Sequence, residues 1–147
     1  MEYRRIDKTN PPIALFDLKL AENQTNYLDP LPTILKEYQN IDNWIILSIH
    51  LSDIKKTTIG FACIGSFGKD DTWLDDIMID KSYQGFGYGT KALKDIIKYI
   101  FKTYQVDHFY LSCYKENEVA LKLYKKLGFV LTDNLDINGE LILVYYK

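Results

Sequence analysis

A chain of 147 residues, 47% hydrophobic and 26% charged, has the size and mix of one packed domain, so residues 1–147 are read as a single unit. Its formal net charge of −2 argues against nucleic acid as a partner and leaves a cationic ligand open. Cys63 and Cys113 are too few for a disulfide scaffold, no apolar run spans a bilayer, and Met1 to Asp7 lacks an apolar signal core. The expectation is a cytoplasmic protein with reduced thiols and no membrane contact.

Taken in chain order, Tyr3 to Asp7 reads as a short strand. Ile13, Phe16 and Leu20 have helical spacing, which predicts a helix over Pro12 to Glu22. Leu31, Ile34, Leu35 and Tyr38 predict a second helix. Trp44 to Leu51, Thr58 to Ser66 and Trp73 to Asp80 are rich in β-branched and aromatic residues, as strands are. Leu93, Ile96, Ile97, Ile100, Phe101 and Tyr104 form one apolar helical stripe. Phe109 to Tyr114 is the next strand. A further helix runs to Leu127, with Asn117 as its N-cap and Gly128 as its stop. Asn138-Gly139 predicts a hairpin between Phe129 to Ile137 and Glu140 to Tyr146. The order implies a mixed α/β fold whose strands Trp73 to Asp80 and Phe109 to Tyr114 are parallel, joined by a helical crossover.

Between strand and helix lies Gln84-Gly85-Phe86-Gly87-Tyr88-Gly89-Thr90. Alternating glycines let successive N–H groups point into one concavity, and the helix N-terminus adds its free donors and positive dipole end. A phosphate suits such a place; so, on this feature alone, does a turn that binds nothing. The spacing fits neither a P-loop nor a dinucleotide fingerprint, and the next strand ends without an acid.

Gln84-x-x-Gly87-x-Gly89 resembles the Q/R-x-x-G-x-G/A loop of the GNAT superfamily of N-acetyltransferases. Asn117-x-x-Ala120-x-x-x-Tyr124-x-x-x-Gly128-Phe129 is similar to that family's downstream helix. The resemblance implies a central, mostly antiparallel sheet with one splayed parallel strand pair and flanking helices. It implies acetyl-CoA as co-substrate, with pantetheine along the backbone of Ile77, Met78 and Ile79. The pyrophosphate would sit on Gln84, Gly85, Phe86, Gly87, Tyr88, Gly89 and Thr90. Tyr124 matches the family's general acid, and Asn117, two turns earlier on the same helix face, would reach the cofactor while capping. By periodicity alone, Tyr124 reads as a core aromatic beside Ala120, Leu123 and Leu127.

Asp75 and Asp76 interrupt an apolar strand, which is costly unless each is paired or functional. Strand alternation puts Asp75 on the face of Ile77 and Ile79 and Asp76 on the other. The acid pair, at its distance from Gln84, resembles the strand of polyamine N-acetyltransferases, and Leu18 to Gln24 resembles the first helix of bacterial spermine/spermidine acetyltransferases. This implies a small cationic amine held by Asp75, Asp76 and Glu22. Direct proton transfer from an alkylammonium to an aspartate is uphill by roughly 9 kcal/mol with ordinary pKa values. Asp75 is therefore assigned to cation recognition first and to proton removal, through water or from an acidified ammonium, second.

Other readings remain open at this stage: another amine acceptor, a non-catalytic acyl-CoA sensor, or a partner-binding domain. The apolar strand Leu141 to Tyr146 is either an internal strand or the edge of a homodimer. His50 and His108 have no ligand spacing, so no metal is expected.

Overall fold

β-branched and aromatic runs become strands, and the stripes of 3.6 period become helices. The computed structural model describes Met1–Lys147. Its strands are β1 (Glu2–Arg5), β2 (Trp44–His50), β3 (Thr58–Ser66), β4 (Thr72–Ile79), β5 (His108–Cys113), β6 (Val130–Leu135) and β7 (Leu141–Tyr146). Its helices are α1 (Leu31–Tyr38), α2 (Tyr88–Tyr104) and α3 (Glu118–Leu127). No helix is long and apolar enough to cross a membrane.

All seven strands form one sheet in the order β1-β2-β3-β4-β5-β7-β6. Every neighbouring pair is antiparallel except β4 and β5. That parallel pair is joined at a single register point, Trp73 opposite Tyr110, where the two rings also meet at 5.2 Å. Beyond it the strands diverge, leaving an open V toward the C-terminal end of β4. One sheet face packs Ile45, Leu47, Ile64 and Leu74 against Leu93, Ile96 and Ile100 of α2, with α3 resting on the same cluster. The opposite face packs Ile46, Phe61 and Met78 against Leu15 and against Leu31, Ile34 and Tyr38 of α1.

Three expectations change. No α-helix forms over Pro12 to Glu22. There is a 3-10 turn at Ile13–Leu15 and another at Glu22–Gln24, with extended chain between them. The reason is local: the Lys19 N–H donates to the Asp80 carboxylate at 2.7 Å, and the Lys19 carbonyl accepts from Lys81 N–H at 2.8 Å. Backbone groups committed to tertiary bonds are lost to a helix. Of the apolar trio read as a stripe, Ile13 and Phe16 are exposed.

The hairpin exists, but its turn is longer than the Asn-Gly pair implied. Asp136 and Glu140 close it, with Asp136 N–H donating to the Glu140 carbonyl at 2.9 Å and Gly139 N–H to the Asp136 carbonyl at 3.1 Å. Only Gly139 has positive φ, at 79°. This is a three-residue loop ending on a left-handed glycine. Its second strand is not a sheet edge, for β7 lies between β5 and β6 with both sides paired. Leu141 to Tyr146 is thus an internal strand and cannot pair with another chain.

The third change concerns β4. Cys63 faces Asp76 while Ile64 faces Leu74, so Asp75 is an extra residue without a partner in β3. A bulge of this kind resets the alternation. Asp75 therefore does not share a face with Ile77 and Ile79. Its carboxylate meets Tyr38 on the α1 face, where Asp76 lies beside Cys63.

Candidate active site

The V between β4 and β5 opens into a cleft of about 840 Å³. β4 contributes Asp75 through Ile79, and the following loop contributes Gln84, Gly85, Gly87, Gly89 and Thr90. α3 contributes Ala120, Leu123 and Tyr124, with Asn117 just before it. Of the residues expected at the site, the cleft gathers all but three. Phe86 points outward and is 74% exposed, Tyr88 packs on the core beneath the loop, and Glu22 is exposed outside the lining. Phe86 and Tyr88 can still offer backbone N–H groups; Glu22 lies outside the acceptor site, and its neighbour Gln24 lines the cleft instead.

Gly85 and Gly87 have φ of 80° and 83°, the left-handed region in which a side chain is strained. A Cβ at either would meet no atom within 4 Å, so these glycines serve backbone shape rather than close packing. Gly87 is the N-cap of α2, and no side chain caps that end. From Gly85 to Thr90 the backbone N–H groups find no acceptor within the chain. Consecutive free donors at a helix N-terminus fit a pyrophosphate. The diverging β4 likewise offers unpaired backbone groups, which suit the amides of pantetheine. Gln84 behaves differently from expectation: its amide nitrogen donates to the Ile79 carbonyl and to Gln24 Oε1, both at 2.8 Å. It braces the loop against β4 and the Leu18 to Gln24 segment.

Tyr124 is half-buried on the cleft wall and packs on Phe129 at 5.6 Å. Its hydroxyl makes no bond within the chain. Burial, then the nearby Cys113 and Asp76, push the phenol above its ordinary range, so it holds its proton at neutral pH. The neighbouring Cys113 thiol is pushed up to about 11, chiefly by burial. Asn117 caps α3 through Ala120 N–H at 3.5 Å and lines the cleft as well.

Opposite stands an acidic wall. Asp29, Glu37, Asp75, Asp76, Asp136 and Glu140 line the cleft, and no Lys, Arg or His does. Burial, then the charge of Asp75, raise the Asp76 carboxyl well above the carboxylate range. Glu140 is raised by burial and by Asp136. Tyr27 and Tyr114 meet across the cleft at 6.0 Å. Asp29, Glu37, Tyr38, Asp136 and Glu140 were not legible as site residues: they come from segments far apart in sequence, and none lies in a recognisable motif.

Fold, donor loop and phenol together define an acyl-CoA-dependent N-acyltransferase. Residues 13–129 match the family described as Acetyltransferase (GNAT) family, and the chain belongs to it. A protein named "Probable spermine N(1)-acetyltransferase" from Bacillus subtilis subsp. natto (strain BEST195) is 32% identical over 138 residues, 89% of each chain. The spermine/spermidine N(1)-acetyltransferase of Bacillus subtilis (strain 168) is 31% identical over the same share. Among solved structures, a GNAT family acetyltransferase from Elizabethkingia anophelis with acetyl-CoA bound superposes with a TM-score of 0.72. It is 17% identical, covering 99% of this chain and 97% of that one. The F149G mutant of the spermidine N-acetyltransferase SpeG from Vibrio cholerae gives a TM-score of 0.72 at 18% identity, covering 99% of this chain and 92% of that one. The chain is an acetyl-CoA-dependent N-acetyltransferase.

Proposed function

We propose that the acceptor is a polyamine such as spermine or spermidine, acetylated on a primary amine by direct attack in a ternary complex, in the cytoplasm. The observation that carries this reading is the acidic wall: six carboxylates and no cationic side chain line the cleft that also holds Tyr124. A polycation balances that charge, whereas a neutral or anionic acceptor would leave it unpaired. Two relatives named for spermine or spermine/spermidine acetylation, each about a third identical, support the same class.

Acetyl-CoA supplies the acetyl group activated as a thioester. The loop Gln84 to Thr90 would hold it through backbone N–H groups, β4 through the edge at Ile77, Met78 and Ile79, and Asn117 from the start of α3. Asp75 and Asp76 bind the ammonium end of the acceptor. A neutral amine is needed for attack. Its proton leaves by water, or from an ammonium acidified by a second cationic centre of the same molecule. Tyr124 holds a proton at its Oη for the thiolate that develops.

The test is release of free thiol from acetyl-CoA in the presence of spermine, spermidine, diamines, aminoglycosides and short peptides. The highest kcat/KM is expected for the polyamines. Faster turnover of an aminoglycoside or a peptide would overturn the acceptor assignment.

A further inference from the structure

Tyr38 is the last residue of α1, 8% exposed, with its ring stacked on Trp44 at 4.8 Å. Its hydroxyl donates to Asp75 Oδ2. The helix end that carries it is fastened from behind. Lys8 Nζ donates to the carbonyls of Tyr38 at 2.8 Å, Ile41 at 2.6 Å and Trp44 at 2.6 Å. An ammonium on three carbonyls closes the C-terminal turn of a helix and fixes the residues in it. Tyr38 thus approaches the bulge of β4 from a rigid support.

The bulge sets two carboxyls side by side on one face, and one negative charge on such a pair is far cheaper than two. Their neighbours differ. Asp75 has a phenol donor, supplied by Tyr38. Asp76 lies beside the Cys63 thiol of β3, a weaker donor, with the acid Asp29 of the preceding segment adding repulsion. Glu37 of α1 and Glu140 of the hairpin turn also face this group, both acidic. The charge of Lys8 is spent on carbonyls at the back of the helix.

We propose that Tyr38 is a positioning residue: its hydroxyl holds one oxygen of Asp75 and so fixes that carboxylate as the ammonium-facing member of the acid pair. This rests on the reading of the pair as the acceptor site. Asp75 then stands with one oxygen held by Tyr38. Removing the phenol leaves the Asp75 carboxylate free to turn away from the acceptor.

The decisive variant is Tyr38→Phe, which keeps the ring on Trp44 and deletes only the donor. KM for spermidine is expected to rise roughly tenfold, with kcat changed much less. CoA affinity, measured by calorimetry, is expected to stay within about twofold. A purely structural role would lower kcat and CoA affinity together with no selective rise in KM, which would overturn the proposal. Asp75→Asn and Asp76→Asn, made with Tyr38 intact, give a second test if Tyr38→Phe does not fold. If Asp75 is the ammonium-facing acid, the KM increase is at least several times larger for Asp75→Asn, with a fall in kcat as well. Equal losses would overturn that assignment. If Asp75→Asn leaves kinetics unchanged, the acceptor-site reading itself fails. If it raises KM while Tyr38→Phe moves nothing, only the positioning role fails.

Discussion

The two walls of the cleft are built on different plans. The wall we propose for the cofactor is a continuous stretch from β4 through the loop Gln84 to Thr90 into α2, and it offers mainly backbone groups. The wall we propose for the acceptor draws side chains from the segment around Asp29, from α1, from the bulge of β4 and from the hairpin turn. Backbone recognition needs only a glycine spacing and a helix start, so it can be conserved in shape while side chains vary. Side-chain recognition needs tertiary structure to collect its members, so it can change the acceptor without disturbing the cofactor site.

The sharpest way to break this division lies at the junction between the walls. Tyr124 belongs to neither: it lines the cleft from α3 and is the proposed general acid. Tyr124→Phe is expected to lower kcat by about 10²- to 10⁴-fold, the usual worth of a positioned general acid. Affinities for CoA and polyamine should change little. Near wild-type turnover in stopped thiol-release assays would show that Tyr124 is only a wall residue.

Sequence reading named most residues of the loop wall and few of the acidic wall for the same reason. Gly85, Gly87 and Gly89 announce a backbone shape, and Asn117 and Tyr124 lie on one helix whose period is fixed. The parallel pairing of β4 with β5 followed from the single crossover helix between them. By contrast, a bulge at Asp75 leaves no mark in a run such as Leu74-Asp75-Asp76-Ile77; it is set by how β3 packs against β4. Tyr38 was read correctly as an apolar face residue of α1, yet its hydroxyl is the part that reaches the site. Asn138-Gly139 signalled a hairpin, but Asp136 decided its length by accepting from both Asn138 N–H at 2.9 Å and Glu140 N–H at 2.8 Å. That extra residue is what places Glu140 as the closing residue of the turn and in the cleft lining. The helix expected over Pro12 to Glu22 failed because Asp80 and Lys81, sixty residues away, claim the Lys19 backbone.

A smaller effect is expected from the loop. Gly87→Ala forces a Cβ into left-handed backbone at 83°. The strain is on the order of 1–2 kcal/mol, and relaxing it would turn N–H groups away from the cleft. CoA dissociation constants should rise about tenfold, while the polyamine KM, measured at saturating acetyl-CoA, should hold within twofold. A matched rise in both would mean that the two walls are coupled and that the separation drawn above is too clean.

The mildest perturbation tests whether the hairpin truly belongs to the acceptor wall. Glu140 sits part-buried, with Asp136 beside it and Asp75 within electrostatic reach, and its carboxyl is raised by burial first and by those acids second. A bound ammonium favours its ionised form and draws that value back down. Cation binding therefore expels protons in the pH range just above the ordinary carboxylate values, and affinity should climb as pH rises through it. Glu140→Gln removes both the charge and this dependence. The expected loss is about three- to fivefold in kcat/KM for spermine, less for spermidine and least for a short diamine. A molecule with more cationic centres has more to gain from an acid remote from Asp75. Raising the ionic strength should compress the same series in wild type, because screening acts on the more exposed charges first. If Glu140→Gln weakened all three amines equally, the hairpin would be contributing only to the general field of the cleft. The acceptor wall would then reduce to Asp75, Asp76 and their support from Tyr38.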